Sequence, residues 1–360
     1  MPAKVWIFPG AMTQGQEPVW QSLLPGLQQL AGYGEVVRIG PLDSRLAVLG
    51  LDGAQEAANG PLIAAALKIE PPERSVCFEL TLLSVDADGI VGEVGHIPPS
   101  ELAEATAQFA RLATKTLTPI PGEDTVHALV WERGSLDIHC QKVGEVLGET
   151  YTRHLPQGDG EPALRQLIDD SLNLLDGLEF NRIREGEGMP KANLLWPHSF
   201  GFMPKLPNLA LARGESATLY SDSLYAAGLA NLAGYRHAPR QGFRDGIHVS
   251  ESAVAAHARG EGTDILIDQK LAASLDGRAE EAEFALNRFD RFGWEPLAES
   301  IRKAGHIRVG ILCPGGLGLM IGPSAAPNQI PFDARALDEP RLRSIPLAQA
   351  VAKLMNPSIG

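Results

Sequence analysis

The alternation of short apolar runs with amphipathic stretches constrains this chain more than any other feature. VWIF (5–8), EVVRI (35–39), TDILID (263–268) and IRVGILC (307–313) are short and rich in β-branched and apolar residues. Between and after them lie VWQSLLPGLQQL (19–30), LYAAGLANLAG (224–234), EAEFALNRFDRFGWEPLAESIRKAG (281–305) and PLAQAVAKLM (346–355), with apolar residues at helical spacing. Strands that alternate with helices predict an α/β fold, its mostly parallel sheet built from both ends of the chain and flanked by helices.

The middle of the chain reads differently. SVCFELTLLSV (75–85), DADG and IVGEV read as a hairpin, since Asp-Gly between apolar runs is a turn signal. SELAEATAQFARLA (100–113) predicts a helix with a Ser/Glu start, and PALRQLIDDSLNLLDGL (162–178) predicts another. HALVWER and LDIHC read as a second hairpin, and PQGDGEP (156–162) as a flexible join. ANLLW and SATLYS return to the strand pattern. The expected partition is a core domain from 1–70 and 186–360, with a smaller α+β, lid-like insert at 71–185.

Composition narrows the function classes. A net charge of −13 with no basic block excludes nucleic acid and anionic lipid as partners. No apolar run reaches the length of a membrane span, and the start, MPAKVWIFPG, lacks the pattern of a secretory signal. Three scattered cysteines (Cys77, Cys140, Cys313) form neither a disulfide scaffold nor a CxxC metal site, so the cytoplasm is the expected compartment.

Five segments, in order along the chain, are GPLDSRLAVLGLD (40–52), ANGPLIAAALKIEP (58–71), SVDADGIVGEVGHI (84–97), LEFNRIREGEGMPKANLLWPHSFGFMP (178–204) and IPF (330–332), and together they resemble the archaeal-type, cofactor-independent phosphoglycerate mutases of the alkaline phosphatase superfamily. GPLDSRLAVLGLD (40–52) is similar to that family's nucleophile segment, ending in its L-G-[YF]-D. ANGPLIAAALKIEP (58–71) is similar to R-G-P-x-E-A-x-x-x-x-I-x, and SVDADGIVGEVGHI (84–97) to V-D-x-D-G-x-I-x-x-R-R-A-G-R-I. LEFNRIREGEGMPKANLLWPHSFGFMP (178–204) is similar to N-x-x-R … G-x-x-P-A-N-x-x-W-P-W-G-Q-G-x-x-P, and IPF (330–332) to the closing V-P-F. The resemblance implies an alkaline-phosphatase-like core with a lid-like insert. It also implies two divalent ions flanking a serine that takes and returns a phosphoryl group.

Carried over residue by residue, that chemistry is missing. The Asp-Gly after the first strand falls on Pro9-Gly10, the nucleophilic serine on Pro41, and the histidine four residues later on Arg45. The Asp and His of the D-E-A-G-H segment fall on Leu271 and Leu275, those of P-D-H-P on Gly315 and Gly316, and the last His on Ala325. The family arginines of F-R-C-N and R-R-A-G-R fall on Glu79, and on Gly92, Glu93 and His96. A carboxylate about 4 Å from a phosphate, at an effective dielectric near 20, is disfavoured by ~4 kcal/mol. No metal and no cofactor are expected.

The residues left for a vestigial or rebuilt pocket are Asp43, Ser44, Arg45, Asn181, Arg182, Arg184 and His198. The arginines read either as a bidentate clamp on a carboxylate or as structural ion pairs. Ser44 has no indicated base, and His198, at a family tryptophan, has no partner at ligand spacing. CPGGLGLMIGP (313–323) is Gly-rich after a strand but lacks the Gly-Lys-Ser/Thr ending of a phosphate loop. Phe284, Phe289, Phe292 and Trp294 read as the core face of a helix.

Three functions fit. The preferred one is a metal-free pseudoenzyme acting as a binding or assembly module, for a small ligand or a protein partner, with homo-oligomer formation open. The second is a metal-independent enzyme rebuilt in the old cleft, for which the polar residues above must converge on one point. The third, which needs the alignment to have slipped, is a working mutase or phosphatase.

Overall fold

The structure is a computed structural model that describes residues 4–9, 24–40, 45–51, 57–214, 217–221, 223–238, 263–268, 287–288, 290–304, 308–313, 316–322, 325–332 and 334–355. Its strands, in chain order, are β1 (Lys4–Pro9), β2 (Glu35–Ile39), β3 (Val76–Val85), β4 (Val91–Gly92), β5 (Leu117–Glu123), β6 (Val126–Trp131), β7 (Ile138–His139) and β8 (Gln157–Gly158). They continue with β9 (Leu194–Phe202), β10 (Ala217–Tyr220), β11 (Arg236–His237), β12 (Thr263–Asp268), β13 (Arg308–Leu312), β14 (Leu317–Ile321) and β15 (Ser344–Ile345). The chain divides into two units, one formed by 1–56 and 206–360 and the other by 57–205.

The first unit holds an eight-stranded sheet in the order β11-β10-β12-β1-β13-β14-β2-β15. Its strands pair in parallel except β14, which runs antiparallel to both β13 and β2. Parallel strands buried on both faces read as continuous apolar runs, which is why β13 was legible. The helix Pro25–Ala31 packs Leu27 and Leu30 into a core with Trp294, Leu297 and Ile311. Its N-cap, Leu24, supplies no capping oxygen. Asp290 does so instead, its carboxylate accepting the N–H groups of Gly26 at 2.8 Å and Leu27 at 2.9 Å.

The second unit holds a sheet in which β3 lies between β9 on one side and β6 and β4 on the other, with β5 beyond β6. All ten residues of β3 are buried. Val76, Phe78, Leu80 and Leu82 join the core made with the helices Pro99–Thr106 and Glu161–Leu175. The helix Asn59–Ala66 packs so closely on the sheet that a Cβ on Gly60 would run into the carbonyl oxygen of Cys77.

Several expectations change at this level. The expected insert of 71–185 becomes a unit of 57–205, since the helix Asn59–Ala66 and β9 are partners of β3 and not of the large sheet. HALVWER and LDIHC do not form a hairpin. β6 pairs with β5, and β7 pairs with β8. β5 carries Pro119 and Pro121, which cannot donate to a ladder, and it lies at the sheet's edge, where proline is tolerated. The 156–162 run is ordered structure: it supplies β8 and, at Glu161, the first turn of a fifteen-residue helix. The helix expected over 100–113 breaks into Pro99–Thr106 and Phe109–Leu112. The long helix expected over 281–305 is seen as a π-helical turn, Asp290–Trp294, followed by Glu295–Ala304, while 281–286 lies outside the described residues. Trp294 is buried but Phe292 is 50% exposed, so it is not part of a core face; Phe284 and Phe289 lie outside the described residues.

The DADG hairpin is present, closed by Gly89 N–H to Asp86 O at 3.0 Å. Among the described residues no helix is long and apolar enough to cross a membrane.

Candidate functional site

Of the positions that the resemblance makes metal ligands, Pro9 is the last residue of β1. After β13 the chain turns back at once: Gly316 N–H donates to Cys313 O and Cys313 N–H to Leu317 O, both at 3.0 Å. β14 then returns antiparallel to β13. The described residues of the Gly-rich run form a turn and a buried strand, with no helix N-terminus among them to hold a phosphate, and the phosphate-loop reading does not fit them. Ala325 N–H donates to Gly322 O at 3.0 Å. Proline, glycine and alanine side chains carry no ligand atom, so these three positions do not fit a divalent ion. Pro41, Asp43, Ser44, Leu271, Leu275 and Gly315 lie outside the described residues, and of Arg45 only the backbone, opening the 3₁₀ turn Arg45–Leu49, is described.

The second unit keeps its polar positions but uses them in two ways. Asn181 and Arg184 lie on the helix Glu179–Gly186 and are buried. Asn181 donates to Leu175 O at 2.9 Å and Ala192 O at 3.0 Å, and accepts Ala192 N–H at 2.7 Å. Arg184 donates to Pro190 O at 2.6 Å, Val94 O at 2.8 Å and His96 O at 3.4 Å, and pairs with Glu101 at 2.8 Å. Every one of these partners belongs to the chain itself, so the pair ties three segments together. Arg182 is exposed and reaches only Glu179, at 3.4 Å.

His198 has different neighbours. β9 aligns Leu194, Trp196 and His198 on the face of the sheet opposite the Phe78 core. Register then shifts: Glu79 faces His198 and Cys77 faces Gly201, so β9 carries one residue more than β3 between those pairs. This bulge contains Ser199, at φ +47°. In a regular strand residues 198 and 199 point to opposite faces, but here Ser199 Oγ lies 2.8 Å from His198 Nδ1. His198 Nε2 lies 2.8 Å from Thr81 Oγ1, and Glu79 Oε2 lies 3.7 Å from Nδ1. Asn59 Nδ2 donates to the same Glu79 oxygen at 2.7 Å. Burial pushes the His198 pKa down, with the nearby Glu79 carboxylate acting against it and Lys142 adding to it, so the ring is neutral near pH 7.

Of the four expected pocket residues whose side chains are described, Asn181 and Arg184 bind neighbouring stretches of backbone, Arg182 stands apart, and His198 belongs to another cluster. Asn59, Thr81 and Ser199 were missed. An open groove of about 740 Å³ elsewhere in this unit is bordered by Asp86, Asp176, Glu185 and Lys191. Lys191 bridges Glu185 at 3.0 Å and Asp176 at 3.2 Å, which leaves the groove acidic. Among the described residues no cluster of His, Cys, Asp or Glu could hold a metal ion.

No family model matches the chain. Among curated proteins it is 27% identical, over 85% of its own length and 80% of the relative's, to a 2,3-bisphosphoglycerate-independent phosphoglycerate mutase 2 of Methanothermobacter thermautotrophicus. It is 26% identical to the corresponding mutase of Methanothrix thermoacetophila, over 62% of this chain and 59% of that one. Among solved structures, the PH0037 protein of Pyrococcus horikoshii superposes with a TM-score of 0.71 at 13% identity, covering 100% of this chain and 98% of its own. A cofactor-independent phosphoglycerate mutase of Thermoplasma acidophilum superposes at 0.61 and 16% identity, over 99% of both chains. The curated homologues of this chain are 2,3-bisphosphoglycerate-independent phosphoglycerate mutases, and it shares its fold with the PH0037 protein and the Thermoplasma mutase.

Proposed function

We propose that this protein keeps the phosphoglycerate-mutase fold without metal-dependent phosphoryl transfer and serves as a binding or assembly module. One observation carries the reading: each position that the resemblance makes a metal ligand or the nucleophile holds a side chain without a suitable donor. They are Pro9, Pro41, Leu271, Leu275, Gly315, Gly316 and Ala325. Two-metal chemistry needs oxygen and imidazole ligands at fixed places, and loss of the whole set removes it. Glu79, where the family has an arginine, further supports a pocket no longer suited to a phosphorylated acid. We place the protein in the cytoplasm, consistent with its three scattered cysteines. Its partner is a small ligand or another protein.

The test is a mutase assay with 3-phosphoglycerate and excess manganese. The expected result is no turnover above background. Turnover on the order of 1 s⁻¹ or faster, the ordinary range for an enzyme on its own substrate, would restore the phosphoryl-transfer function.

A second reading, chemistry rebuilt without metal, is favoured by one feature: the hydrogen bond between Ser199 and His198.

A further inference from the structure

Among the described non-glycine residues with positive φ, Ser199 alone lies within a strand; Lys68, Arg74, Asp124, Arg133 and Gln329 lie in turns and connections. A serine held in this region is strained, and such strain clusters at active sites, where the fold over-determines it. Here the strain has a visible product. It turns the hydroxyl toward the imidazole of the preceding residue, at 2.8 Å. The imidazole is itself fixed from the far side by Thr81 Oγ1 at 2.8 Å. A buried carboxylate, Glu79, lies 3.7 Å from the nitrogen that would become charged, and Asn59 orients that carboxylate. A hydroxyl in hydrogen-bond reach of a base, with the base oriented by further groups, is the geometric signature of an activated nucleophile. Of the pair, His198 is buried and Ser199 reaches solvent.

We propose that Ser199 is a nucleophile, with His198 as its base, for uncharged carboxylic esters. The proposal deepens the second reading above and does not depend on a metal. In the tautomer required, His198 Nε2–H donates to Thr81 and Nδ1 accepts from Ser199. Ser199 Oγ bonds to the ester carbonyl carbon as its proton passes to Nδ1. The ester C–O bond then breaks and the leaving alkoxide takes that proton. Water, deprotonated by the same nitrogen, hydrolyses the acyl-serine and restores the hydroxyl. Glu79 steadies the transient imidazolium. The same carboxylate repels anionic acids and phosphate esters, which restricts the substrate to uncharged esters.

The test is labelling of the full chain by an uncharged alkyl fluorophosphonate, followed by intact-mass and peptide analysis. Attack by Ser199 Oγ on phosphorus expels fluoride, and the proton goes to His198. The expected result is one adduct per chain, on Ser199. Ser199→Gly relieves the positive φ, stays folded and takes no label, and His198→Gln slows labelling by about 100-fold or more. An unlabelled wild-type chain overturns the proposal, as does a Ser199→Gly chain labelled at the wild-type rate. So does His198→Gln labelled at the wild-type rate. Labelling at Ser199 is compatible with either outcome of the mutase assay, so the two ideas fail separately.

Discussion

Two buried polar clusters in the second unit invite comparison. Around Arg184 and Asn181, long side chains bind backbone carbonyls of their own unit, and every contact ties two segments together. Around His198, short side chains bind one another, on a bulged strand with a strained serine. The first arrangement stabilises a fold. The second spends stability on holding a hydroxyl beside an imidazole, the pattern expected where function and stability are traded. Burial of polar residues alone therefore does not mark a site; what their bonds connect does.

The comparison breaks most readily at Arg184. Arg184→Ala leaves Glu101 without its partner and strands the carbonyls of Val94 and Pro190. Chemical denaturation should show a loss of about 3–5 kcal/mol in the transition of this unit. Arg182→Ala, which removes an exposed pair with Glu179 three residues away, should change it by less than about 0.5 kcal/mol. Equal effects would mean that the clamp is not one.

A smaller effect belongs to His127, buried on β6. Gly122 N–H donates to its Nδ1 at 3.0 Å, while Nε2 has no partner. Burial lowers its pKa to about 4 from the ordinary 6.5. The unfolded chain takes up a proton below pH 6.5 and the folded one only near pH 4. Stability is therefore fully present above pH 6.5 and is lost as pH falls toward 4. At about 1.4 kcal/mol per unit, roughly 2 kcal/mol should go between pH 7.5 and 5. Denaturation midpoints across that range, compared with those of His127→Leu, isolate the contribution; identical slopes would exclude it.

Ser199→Gly should show a smaller effect than the loss of either Arg184 or the His127 contribution, and with the opposite sign. Removing the Cβ from a positive-φ position should stabilise the protein by about 1 kcal/mol, less the lost hydrogen bond. A thermal transition that falls by several degrees would make Ser199 a structural residue like Asn181.

Much of this fold was legible because strands such as β3 and β13 are buried on both faces and helices such as Glu161–Leu175 are amphipathic. β2, β12 and the helix Leu224–Ala233 match their sequence patterns closely. The two-proline strand β5 was hidden because its edge position, which makes proline tolerable, is a property of the sheet and not of the segment. The limits of the second unit were misplaced for the same reason, since ANLLW looks alike whichever sheet receives it. His198 was visible as a change from tryptophan. Thr81 and Asn59 were not, because the register that joins them to it is long-range. Ser199 was hidden by the bulge, which cancels the alternation of strand faces. One signal was available: Ser199 stands where the family stretch W-P-W-G-Q-G has glycine.

The most direct test of the central claim is the metal content of the purified chain. The protein is incubated with excess manganese and zinc, freed of unbound ions and analysed for its elements. The account predicts no ion retained per chain, because the positions at Pro9, Gly316 and Ala325 offer no side-chain ligand atoms. One or two tightly held ions per chain would contradict it and return the protein to metal-dependent phosphoryl transfer.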